Sequence, residues 1–174
     1  MLFRSGKFIE HAGFAEIFPG VWLTGPVPRK HPERNWSGGG QLRNEAGQAA
    51  EDNLPEDMSM VIETAQGLVL ISGCGHAGLI NTLESARTEF GARPLHAAIG
   101  GFHLFPASDT HLNWTAGKLK EFGLEHFIGA HCTGIEATHR IREQTGLDRQ
   151  HAVVGAVGAG FKLGEGILPG TIAR

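Results

Sequence analysis

From Met58 onward, apolar and polar positions follow a regular alternation of short and long periods. "MSMVIET" and "GLVLIS" are brief apolar runs rich in β-branched residues, and they predict a strand pair joined at Ala65-Gln66-Gly67. "LINTLESARTEF" places Leu79, Ile80, Leu83, Ala86 and Phe90 at helical spacing. "LHAAIGG" predicts a buried strand, and "HLNWTAGKLKEFG" an amphipathic helix closed by Gly123. "EHFIGA" is a further strand, "IEATHRIREQTG" a helix closed by Gly146, and "HAVVGAVGAGFKLG" a strand running into a glycine-rich turn. Strands and helices that alternate in this way predict a largely parallel sheet in an α/β layered fold.

The N-terminal third is different. "EIFPGVWLT" predicts two short strands around the Pro19-Gly20 turn. Residues 29–57 are polar, include "WSGGG" and lack an aliphatic run, so they predict an irregular excursion. The expected organisation is one domain over 1–174, with that excursion at 29–57 and an αβ core at 58–161.

Composition narrows the partners. A chain of 174 residues, 41% apolar, is long enough for one real core. A net charge of −3 gives no reason to expect nucleic acid. No apolar run reaches about 18 residues, so no membrane span is expected. The start "MLFRSGKFIEHAG" has no continuous apolar stretch, so no secretory signal is expected. Two cysteines build no disulfide framework, and a reducing cytoplasm is the expected location.

Three of the predicted loops carry chemistry. "GCGHAG", "GGFHL" and "AHCTG" each follow a strand, so in a parallel sheet they share the edge where α/β proteins bind ligands. They deliver His76, His103 and His131, together with Cys74 and Cys132, and imidazole and thiolate suit zinc or iron. His96, His111, His126, His139 and His151 are expected on surfaces or in local hydrogen bonds, His151 at the far end of a strand. Thr133 is expected to cap the helix after His131. The first loop also satisfies G-x-G-x-x-G at Gly73, Gly75 and Gly78. A dinucleotide site would need an acidic residue at the end of the next strand, and "LHAAIGG" has none. No G-x-S-x-G is present for a serine nucleophile. A cysteine-based enzyme using Cys74 and Cys132 remains a further reading, without a signature beyond the residue types.

"GVWLTGPVPR", "EDMSMVIETAQGLVLISGCGHAGLINTLESA", "AAIGGFHLF" and "GAHCTG" together resemble the second half of a metallo-β-lactamase-fold protein. The similar group is the one around 7,8-dihydropterin-6-methyl-4-(β-D-ribofuranosyl)aminobenzene 5′-phosphate synthase, and the likeness spans residues 14–161 in order and spacing. The resemblance implies a metallo-β-lactamase-like αββα sandwich, of which this chain looks like the second half, with metal at the sheet edge. It implies His76, His131 and Cys74 as metal ligands and His103 as a residue facing a small-molecule substrate. Zinc is the first expectation for the divalent cofactor, with iron or manganese as alternatives. The implied chemistry is hydrolytic, a metal-bound water ionising near neutral pH to attack an ester or phosphate ester.

Members of the family also carry H-x-H-x-D-H in their first half, and this chain contains no such motif. Two expectations follow. One is pairing, either as a homo-oligomer or with a missing N-terminal half, to cover the exposed sheet face. The other is a catalytically incomplete protein that binds an anion or small molecule.

Overall fold

The computed structural model describes residues 6, 9–33, 41–54 and 57–170. Two short strands, β1 (Ala15–Phe18) and β2 (Val21–Leu23), flank the Pro19-Gly20 turn. The polar stretch 29–57 contains the small hairpin of β3 (Gln41–Arg43) and β4 (Ala49–Glu51), and its residues 34–40 and 55–56 lie outside the described residues. The core then runs β5 (Ser59–Thr64), β6 (Gly67–Ser72), α1 (Leu79–Phe90), β7 (Leu95–Gly100), α2 (Asp109–Glu121), β8 (His126–Gly129), α3 (Ile135–Thr145) and β9 (Ala152–Val154). A hairpin of β10 (Gly160–Lys162) and β11 (Gly166–Leu168) ends the regular structure.

Seven strands form one sheet in the order β1-β2-β5-β6-β7-β8-β9. The predicted largely parallel sheet is in fact mixed. β6, β7, β8 and β9 pair in parallel, while β1, β2, β5 and β6 pair antiparallel. The cause is local: the short links between β1 and β2 and between β5 and β6 only permit hairpins, whereas each later link carries a helix.

The helices cover one face of the sheet. Leu79, Ile80 and Leu83 of α1, Leu112 and Leu119 of α2, and Ile141 of α3 are buried against Val61, Leu70, Ala98 and Phe127. Burying each such side chain contributes about 1.5–3 kcal/mol. The other face is only partly covered. Ile99 and Phe161 pack with Ile128, Val153 and Ile167, and a broad apolar groove remains between Ile62, Val69, Ile71, Ile99, Ile128, Val157 and Leu163. Val157 is 90% exposed there. Among the described residues no helix is long and apolar enough to cross a membrane.

Neither α1 nor α3 has a side-chain cap from its own N-cap residue. α1 starts at Gly78, whose φ of +96° suits glycine, and the orphan N–H groups of its first turn find an acceptor far away in sequence. Buried Glu33 accepts from Ile80 N at 3.0 Å and from Asn81 N at 2.7 Å. α3 starts at Gly134 with no side-chain cap, so Thr133 does not cap it. His96 and His126, expected on surfaces or in local hydrogen bonds, are both buried, and His96 Nδ1 lies 2.7 Å from Glu125 Oε2. Both lie in neighbouring strands, and Phe161 and Gly166 of the β10–β11 hairpin cover them.

Candidate metal centre

The carboxyl ends of β6, β7 and β8 lie side by side, with Ser72 paired to Gly100 and Gly100 to Gly129. Their loops therefore meet. Thr133 joins two of them from within: its buried hydroxyl accepts from Phe102 N at 3.1 Å and donates to Gly100 O at 3.0 Å. Gly100 O also accepts from Ala130 N at 2.8 Å. This explains why Thr133 is unavailable as a helix cap. Gly101 fits the third contact, since a Cβ there would sit 2.3 Å from Gly73 O and 2.9 Å from Cys132 Sγ.

Within this clamp the side chains converge on Cys74. Its Sγ lies 3.5 Å from His103 Nδ1, 3.7 Å from His131 Nδ1 and 3.1 Å from Cys132 Sγ. The His76 and His103 rings stand 4.6 Å apart, edge to face. Cys132 Sγ also donates to Cys74 O at 3.1 Å and accepts from His103 N at 3.3 Å. Both cysteines are free thiols. The structure thus brings all four sequence-predicted residues, Cys74, His76, His103 and His131, into one cluster with Cys132.

His103 and His131 adopt left-handed backbone conformations, with φ of +50° and +47°. Such values are uncommon outside glycine and concentrate at functional sites. Burial, then the neighbouring His76 and His131, hold the His103 imidazole below its ordinary pKa. Burial, then Cys132 beside it, push the Cys74 thiol up to about 12. Both shifts favour the neutral forms of Cys74 and His103. His103 Nε2 is buried with no hydrogen-bond partner among the described residues.

Two residues from the polar stretch reach this edge. Asp57 Oδ1 stands 3.7 Å from His76 Nδ1, while its Oδ2 accepts from Ala77 N at 3.0 Å. Arg29 Nη1 donates to His76 O at 2.8 Å. Nothing local in the sequence marks either residue. Their only signal is charge placed just before a strand or beside a proline.

Two triads could each surround one ion: Cys74, His131 and Cys132, and Cys74, His76 and His103. In each, one donor atom per residue lies within 4.8 Å of the others, and Cys74 belongs to both. Imidazole nitrogen and thiolate sulfur are the donors that zinc and iron take.

No family model matches the chain. It is 31% identical over 156 residues to the 7,8-dihydropterin-6-methyl-4-(β-D-ribofuranosyl)-aminobenzene-5′-phosphate synthase of Methanocaldococcus jannaschii, across 84% of this chain and 51% of that protein. An uncharacterised protein of the same organism is 31% identical over 99 residues, 56% of this chain and 35% of its own length. Among solved structures, a metal-dependent hydrolase of the β-lactamase superfamily superposes with a TM-score of 0.69 at 27% identity, over 81% of this chain and 53% of that one. The chain spans about half the length of the synthase and of the hydrolase.

Proposed function

The chain belongs to the metallo-β-lactamase superfamily, and on that premise we propose that its β6–β8 edge is the metal-binding part of a hydrolase acting on an ester or phosphate ester. Cys74, His76 and His131 are ligands of divalent metal, His131 in the triad with Cys132 and His76 in the triad with His103, Cys74 serving both; zinc comes first, with iron or manganese as alternatives. The observation that carries this reading is that Cys74 has a donor atom within 4.8 Å of those of His131 and Cys132 on one side and of His76 and His103 on the other. A divalent ion held there supplies a Lewis acid that polarises an ester or phosphoryl oxygen and acidifies water.

This chain's own residues do the rest. The carboxylate of Asp57 stands behind His76 and orients its ring, as carboxylates do behind ligating histidines. Arg29 fixes the backbone of the same residue. His103 faces the substrate, and its unpartnered Nε2 is the hydrogen-bonding group a bound small molecule would satisfy. A second copy of the chain covers the apolar groove on the open sheet face, where Val157 and Ile71 stand exposed.

The alternative is a binder of anions or small molecules at the same edge, which the buried, unpartnered His103 Nε2 favours. Zinc titration of the purified chain with His131→Ala and His76→Ala separates the two. The hydrolase reading expects each variant to bind at this edge at least about 10-fold more weakly, with little loss of stability. Unchanged zinc affinity in both variants would pass the lead to the binder.

A further inference from the structure

A second polar cluster sits at the opposite ends of the same two strands. His96 is the second residue of β7 and His126 the first of β8, whereas the candidate metal centre follows their last residues. β6 pairs Leu68 with Leu95 and then Val69 with Ala97, so His96 is the extra residue of a bulge. Bulges of this kind re-aim a side chain and are frequent beside functional sites.

His96 and His126 are 6% and 9% exposed, with rings 5.1 Å apart and nearly perpendicular. His96 Nδ1 lies 2.7 Å from Glu125 Oε2. The other nitrogen of His96, Nε2, and Nδ1 of His126 are both buried without a hydrogen-bond partner among the described residues. Leaving a buried polar atom unsatisfied costs about 1–3 kcal/mol, so two such atoms in one place call for a ligand. Phe161 of β10 packs on both rings, at 5.5 and 5.3 Å. Gly166, at the start of β11, fits over His126 so closely that a Cβ there would lie 3.0 Å from Cε1. On the solvent side, Glu125 is half exposed, and His151 stacks on His126 at 5.0 Å while pairing with Asp148.

We propose that His96, His126 and Glu125 form a second divalent metal site, distinct from the β6–β8 edge and free of cysteine. One donor atom from each of the three lies within 4.8 Å of the others. Two imidazoles and one carboxylate, with positions left for water, suit zinc or another first-row divalent ion and not calcium or magnesium, which prefer all-oxygen shells. His96 Nδ1 and Glu125 Oε2 stand 2.7 Å apart, so these two donors already face one another where an ion would lie. The Phe161 and Gly166 hairpin supplies the dry wall on one side, and the half-exposed Glu125 leaves an entry for the ion.

The test uses the whole chain carrying Cys74→Ser and His131→Ala, which disable the other site. Equilibrium dialysis with zinc should still find about one ion per chain, and cobalt in its place should give ligand-field bands with no thiolate charge-transfer band. Adding Glu125→Gln, at a half-exposed position that tolerates it, should weaken zinc at least about 10-fold. His126→Asn should do the same, with circular dichroism checking that it remains folded. Absence of zinc from the Cys74→Ser, His131→Ala chain would overturn the proposal. So would a zinc affinity that Glu125→Gln leaves unchanged.

Discussion

Thr133→Val removes one hydroxyl and changes almost nothing in shape, so it isolates the clamp between two site loops. In the parent the hydroxyl accepts from Phe102 N and donates to Gly100 O. Gly100 O keeps a second donor, Ala130 N at 2.8 Å, so it is not orphaned by the change. Among the described residues no other acceptor takes the Phe102 N–H, and Phe102 is buried. The expected loss is one unsatisfied buried donor, about 1–3 kcal/mol, plus one ordinary hydrogen bond, about 0.5–1.5 kcal/mol. A total near 2–4 kcal/mol should lower the melting temperature by about 5–15 °C in a chain of this size. Scanning calorimetry at pH 7 on the parent, Thr133→Val and Thr133→Ser measures it. Thr133→Ser keeps the hydroxyl and should recover most of the loss. Zinc affinity should fall in Thr133→Val as well, because the clamp positions both His103 and Cys132. A Thr133→Val protein melting within about 2 °C of the parent would show that the hydroxyl does not hold the loops together.

Glu33 titrates in a useful window. Burial raises its pKa from 4.5 to about 7, against the downward pull of the Ile80 and Asn81 N–H groups and Arg29. The native state therefore holds this proton more tightly than the unfolded chain. Its contribution to stability is complete below pH 4.5 and is lost as pH rises through 7, on the order of 3 kcal/mol. Urea melts of the parent and Glu33→Gln should diverge by about that much between pH 4.5 and 8, and parallel profiles would remove Glu33 as the cause. Gly101→Ala puts a methyl into contact with Gly73 O and Cys132 Sγ; it should cost about 1–3 kcal/mol in denaturant melts and weaken zinc, and a neutral result would mean the loops yield freely. Light scattering of the isolated chain should show a dimer or larger species that Ile71→Glu dissociates, whereas a monodisperse parent monomer would remove self-association.

The helices were legible because periodic apolar positions and terminal glycines act locally. Leu79–Phe90 is the very segment whose spacing predicts a helix, and Gly146 closes α3 in a left-handed conformation. The loops bearing Cys74, His103 and His131 were legible as sheet-edge loops because each directly follows an apolar strand. Contacts that depend on register were not. Thr133 looks like a helix cap in sequence and is claimed by Phe102 and Gly100, which only strand pairing brings near. Glu33 lies in a polar stretch with no periodicity, yet reaches the start of α1, 47 residues ahead in the sequence. His96 and His126 stand singly in short strands, and a lone histidine in a strand has no pattern to betray it. Their meeting follows from the bulge in β7 and the parallel pairing of β7 with β8.

His103 and His131 occupy backbone conformations that glycine would adopt without strain and that cost an L-residue about 1–2 kcal/mol each. Conformational stability and ligand supply therefore pull these two codons in opposite directions. A library randomised at positions 103 and 131 and selected only for heat resistance should fill with glycine or asparagine. The same library selected for retention of a cation should return histidine.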